Sequence, residues 1–172
     1  MTTRRTMAIA LLLGISIPAA ARAQSTTVTM GKTVPFEDAS MVPKAVLDEC
    51  GLPEKHADLL QKAAAAAGLT LVQDDDAMKG GKGRVLFVQI ANSGGGGNAW
   101  TGRSRSVVVK GRLAQDGTEV GNFTGQRSSM GGAFGGFKGA CSLFGRDVEA
   151  LSKDIVQWLK SPSKDARLGE LK

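Results

Sequence analysis

The chain holds two cysteines, Cys50 and Cys141, and no other feature restricts its fold as much. Whether they join depends on compartment, because disulfides persist in oxidising surroundings and are rare in the cytosol. The N-terminus bears on that question. Arg4 and Arg5 precede an apolar stretch from Met7 to Ile17, and Pro18 leads into Ala21-Arg22-Ala23, an A-x-A cleavage pattern before Gln24. The stretch is too short to anchor in a bilayer, and no cysteine near the cleavage point is available to carry a lipid. Residues 1–23 are therefore read as a cleavable signal peptide, and the mature chain as periplasmic or secreted with no stable membrane span. The Arg4-Arg5 pair also raises twin-arginine export, although Thr6, Met7 and Ala8 depart from its usual bulky apolar residue and lysine.

In that compartment an even cysteine count favours one intramolecular bridge, Cys50 to Cys141. Two buried free thiols are the alternative. A metal pair is disfavoured, since the lone His56 offers no zinc-type spacing, and no metal or cofactor is expected. Closing a loop of about 90 residues stabilises a fold by roughly 4 kcal/mol on the chain-entropy model.

Removing the leader changes the charge argument. Segment 1–23 holds three of the 22 basic residues, Arg4, Arg5 and Arg22, and no acid, so 19 bases face 16 acids and the net charge falls from +6 to +3. A nucleic-acid partner that leaned on charge loses half its support. The remaining 149 residues suit one domain, residues 24–160, followed by a charged, mobile tail over 161–172.

Along that domain, Val28 to Phe36 alternates loosely and reads as a first strand ending near Pro35. Ser40 is placed to cap a helix in which Val42, Val46 and Cys50 share a face. Gly51 and Pro53 interrupt it, and a second segment runs from Glu54 through Ala63–Ala67 to Gly68, its alanines forming a close-packed face. Leu69 to Val72 reads as a strand, and Asp74 to Gly83 as a solvated loop whose three acids lack the alternating ligands of a calcium loop. Arg84 to Ala91, apolar on both faces, is a central strand. Arg105–Leu113 and Glu119–Arg127 form a hairpin around Gln115-Asp116-Gly117, where Asp-Gly supplies positive φ. In the last helix, Gly139 to Lys160, Cys141, Phe144, Val148, Leu151, Ile155 and Trp158 step by three and four. The predicted fold is α+β, a mixed or antiparallel sheet of four to five strands with two main helices on one face; one helix on each face is the alternative.

Motifs for chemistry are weak. Gly97 to Ser104 has phosphate-loop spacing, but Arg103 stands where lysine is needed and a strand, not a helix, follows. Gly94, Gly96 and Ala99 match a dinucleotide fingerprint only loosely and lack the same helix. There is no G-x-S-x-G elbow, and His56 lies on a stretch rich in lysine and acids. The pairs Asp48/Glu49 and Asp147/Glu149 are explained by solvated helix faces. A hydrolase or transferase using carboxylates is the runner-up function.

An antiparallel meander of the three long strands brings two glycine-rich loops to one edge. Asn92–Gly102 carries Trp100; Ser128–Lys138 carries Met130, Phe134 and Phe137. Arg103, Arg105, Arg127 and Lys138 add positive charge beside the first turn of the final helix. Aromatics and arginines on flexible loops form an interaction surface for an envelope protein or an anionic glycan. The alternative is that the rings fold back to close the end of the core.

The segments Asp48-Glu49-Cys50-Gly51-Leu52, Gly139-Ala140-Cys141-Ser142-Leu143 and Ile155-Val156-Gln157-Trp158-Leu159 resemble a class of uncharacterised exported proteobacterial domains. Those are similar in layout to the TolB N-terminal domain and to small outer-membrane accessory lipoproteins. The resemblance implies an α+β envelope protein with a helix-to-helix disulfide and no assigned reaction. The lipidated cysteine of the lipoprotein members is missing, so membrane attachment is not implied.

Overall fold

The computed structural model describes residues 27–98, 102–131 and 139–172; the expected signal peptide lies outside them. The elements follow in the order β1 (Thr27–Met30), a 3-10 turn (Ala39–Met41), α1 (Lys44–Glu49), α2 (Leu52–Ala66), β2 (Thr70–Gln73), α3 (Asp75–Gly80), β3 (Arg84–Gly94), β4 (Gly97–Asn98), β5 (Gly102–Gln115), β6 (Thr118–Met130), α4 (Ala140–Lys160) and β7 (Ala166–Gly169). One mixed sheet runs β2-β1-β3-β5-β6-β7, with β4 paired to β5 off that path. The class is the expected α+β, but the sheet is wider than the four to five strands expected, and two short helices join the two long ones.

Three local readings are corrected by side-chain chemistry. Asp38, not Ser40, caps the first turn, its carboxylate accepting the Ser40 amide at 2.9 Å. The acidic run is not a loop. Asp74 accepts the amides of Asp76 and Ala77, both at 3.0 Å, while Asp75 and Asp76 occupy the first turn of α3, where negative charge is favoured. The C-terminal segment is not a free tail either. Residues Ala166 to Gly169 pair in parallel with Phe123 to Gln126 of β6, because Leu168 is apolar and finds a buried position there.

The remaining elements follow their sequence signals. Gly51 takes a left-handed φ of 52° between α1 and α2, and Pro53 stands in the first turn of α2. The β5–β6 hairpin turns at Asp116 and Gly117, whose φ angles of 50° and 81° suit a primed turn. β3 lies between β1 and β5, as its two-sided apolar character requires.

Helices α2 and α4 lie on the same face of the sheet. One cluster joins Leu52, Leu60 and Ala64 of α2, the stripe Phe144, Val148, Leu151 and Ile155 of α4, and Val107, Val109, Leu113 and Phe123 of the sheet. Cys50 at the end of α1 and Cys141 in the first turn of α4 form the expected disulfide, with Cα atoms 4.9 Å apart. Arg84 holds the far end of α4, its guanidinium donating to the Leu159 carbonyl at 3.0 Å. No helix among the described residues is long and apolar enough to cross a membrane.

Candidate functional site

The meander brings the end of β3, the start of β5, the end of β6 and the start of α4 to one edge. Of the residues expected to form a site there, Trp100, Phe134, Phe137 and Lys138 lie outside the described residues. Arg103 is in β5, paired across to Gly97 of β4. The first loop is narrower than expected, because β3 continues to Gly94 and the Ser104 amide donates to the Gly96 carbonyl at 2.9 Å.

The two arginines whose side chains are described at this edge have structural partners. Arg105 donates to the Ser104 carbonyl at 2.9 Å, and its guanidinium lies 5.9 Å from the centroid of the Phe144 ring on α4. Arg127 donates twice to Asp154 of α4, at 2.8 and 3.0 Å. That hydrogen bond raises the Arg127 pKa further above its ordinary value. Both side chains tie α4 to the sheet. Met130, at the end of β6, is 72% exposed.

Asp147 corrects the sequence reading in the same region. It is buried rather than solvated, and the Ser129 hydroxyl donates to its Oδ1 at 2.5 Å. Its Oδ2 has no hydrogen-bond partner among the described residues. Burial raises its pKa to about 6 against the lowering effect of the Ser129 hydrogen bond, and the negative charge of Glu170 adds to the rise while Arg146 opposes it. Glu170 in turn accepts the amide and hydroxyl of Ser128, at 2.9 and 2.7 Å. A signal for this burial was present, since Asp147 stands three residues after Phe144 and four before Leu151, inside the apolar stripe. A serine against a carboxylate is the described contact nearest to hydrolytic chemistry. Neither residue lines either of the two cavities described next.

The second surface is the face of the sheet turned away from α2 and α4. Side chains alternate along a strand, so cross-strand partners share a face. One row runs Phe87, Arg112, Asn122; the next runs Gln89, Lys110, Thr124, Arg167. All seven line an open cavity of about 590 Å³. A smaller one of about 280 Å³, beside the Gly31–Pro35 segment, shares Phe87, Gln89 and Arg112 with it. The Arg112 guanidinium lies 4.1 Å from the centroid of the Phe87 ring, and Lys110 pairs with Glu37 at 2.8 Å. Neither Arg112 nor Arg167 has a carboxylate within ion-pair distance among the described residues. Sequence reasoning missed this face, although Lys110 and Arg112 alternate with Val109 and Leu113 as residues of a half-solvated strand do.

No protein-family model matches the chain. No curated protein matches it in sequence. Among solved structures it is similar to a minor lipoprotein of Acinetobacter baumannii, with 12% identity and a TM-score of 0.50 over 80% of this chain and 92% of that one. It is also similar to a DUF330 protein of Xanthomonas campestris, with 11% identity and a TM-score of 0.54 over 80% of this chain and 86% of that one. At such identities the likeness is one of fold, and the fold is that of small proteobacterial proteins, one of them a lipoprotein.

Proposed function

We propose that this chain is a non-enzymatic, exported protein of the bacterial envelope that works by holding an anionic partner against the open face of its sheet. The observation that carries the reading is the pair of cross-strand rows on that face, where Arg112 and Arg167 are exposed and form no ion pair among the described residues. Buried ion pairs neutralise charge; exposed, unpaired guanidinium groups offer planar donor sets to carboxylates and phosphates. The disulfide supports an oxidising compartment, and the lipoprotein fold supports an envelope setting. A carboxylate hydrolase draws less support, because Asp147 and Ser129 are packed between α4 and β6 rather than facing a substrate-sized opening.

One observation favours a second surface. Met130 is exposed at the end of β6, and the alternative is an envelope protein that docks on the loop edge expected from sequence, through Trp100, Arg103, Phe134, Phe137 and Lys138.

Crosslinking in intact cells separates the two surfaces. R112A/R167A is expected to lose most crosslinked partner while keeping its melting temperature, and W100A/M130S to keep it. The opposite pattern would move the site to the loop edge. Capture unaffected by either pair would remove both.

A further inference from the structure

We infer that the anionic partner is an acidic polysaccharide, lying extended across the strands of the open face. The inference rests on the face reading given above and adds the chemical class.

The first argument is span. The two cavities share Phe87, Gln89 and Arg112, so they form one trough from the Gly31–Pro35 segment across β3, β5 and β6 to β7. Neighbouring strands are spaced by about 4.8 Å, which gives the trough a length of about 20 Å. Arg112 on β5 and Arg167 on β7 are two strands and two residues apart in register, so their Cα atoms are separated by about 12 Å. The Arg112 guanidinium is stacked over Phe87 of β3, on the side of β5 away from β7. A single small anion would have to draw it off the ring to meet both groups, whereas a chain with repeated carboxylates meets each where it stands.

The second argument is side-chain chemistry. Thr124 of β6 stands between the strands that carry the two arginines, and Gln89 of β3 lies on the other side of Arg112; both line the trough, a hydroxyl and an amide that each donate and accept hydrogen bonds. Sugar hydroxyls ask for such groups and carboxylates for the arginines. Protein interfaces are built on apolar or aromatic anchors, and the exposed large apolar residues, Met41, Leu47, Val72, Val120 and Met130, are all absent from the trough lining. Phe87 is not an open anchor either, because Arg112 covers its ring. Glu119 and Asp165 also line the trough, and two acids among the bases favour a sparsely charged chain over one as densely charged as a nucleic acid.

The test uses the mature, disulfide-bonded chain in affinity electrophoresis against polygalacturonate, neutral dextran and poly-glutamate. Retardation by polygalacturonate is expected, weaker in salt, with little effect of dextran or poly-glutamate. R112A/R167A is expected to lose at least tenfold in affinity at an unchanged melting temperature, and T124A, which removes a hydroxyl and no charge, to weaken polygalacturonate binding by a smaller factor. Equal binding of dextran, or full affinity in R112A/R167A, would overturn the inference. Tighter binding of poly-glutamate would assign an acidic protein segment and overturn the glycan class, while leaving the open face as the site. Failure to bind any of the polymers would also overturn the glycan, and crosslinking that still depends on Arg112 and Arg167 would then show that the face reading survives.

Discussion

His56 is fully buried on α2, and neither ring nitrogen has a hydrogen-bond partner among the described residues. Burial pushes its pKa down to about 3 from an ordinary 6.5. Asp147 is displaced the opposite way, up to about 6 from 3.8, again chiefly by burial. The two groups therefore act on stability with opposite sign. Below pH 6.5 the unfolded chain protonates His56 and the folded chain does not, so stability falls as pH drops toward 3. Asp147 takes up its proton more readily in the fold, so its contribution is fully present below pH 3.8 and is lost as pH rises through 6. Between pH 6 and 4 the two slopes offset one another. H56L is expected to remove the first, a loss of about 2 kcal/mol between pH 6.5 and 5, and to leave a protein that becomes more stable on mild acidification. D147N is expected to steepen the acid loss. Urea titrations at pH 7, 6 and 5 check both signs; a flat profile in H56L would contradict the account. Both burials were legible in spacing, since Leu52, His56, Leu60 and Ala64 repeat every four residues, but polar residue type suggested solvent.

At the scale of elements, the approach of α4 to β6 depends on the absence of a side chain at Gly121. A Cβ there would stand 2.9 Å from both the Trp158 ring and the Ser163 carbonyl oxygen, while Trp158 is held edge-on by Phe123 at a centroid distance of 4.8 Å. G121A is expected to cost about 1–3 kcal/mol, read as a lower melting temperature. A Cβ at Gly125 meets tight contacts, with Leu151 Cδ2 at 3.1 Å and Leu168 Cβ at 3.3 Å, but none under 3.0 Å, so G125A is expected to be milder. Of the elements themselves, those with periodic apolar patterns were readable: α2, α4, β3 and the β5–β6 hairpin. α3 and β7 were not. Each is short, and each exists because of a particular contact, the Asp74 cap in one case and the Leu168 pocket in the other, rather than a repeat.

For the whole molecule, the Cys50–Cys141 bridge closes a loop of 91 residues that contains β2, β3, β5 and β6. Reduction, or the paired change C50S/C141S, is expected to lower unfolding free energy by about 4 kcal/mol if the constraint acts on the unfolded chain, measured by denaturant titration with and without reductant. L168A is expected to cost about 2–5 kcal/mol, although it lies in the last seven residues; no change in melting temperature would show that β7 is dispensable. From sequence alone came the cysteine pairing, the α+β class, the meander and the shared loop edge, because each rests on composition, period or turn chemistry. Only the tertiary structure decided which arginines remain available, since a charge is spent or free according to what a distant element places beside it. Asp154 on α4 occupies Arg127, Phe144 holds Arg105, and Arg112 and Arg167 are brought together by pairing between strands far apart in the chain.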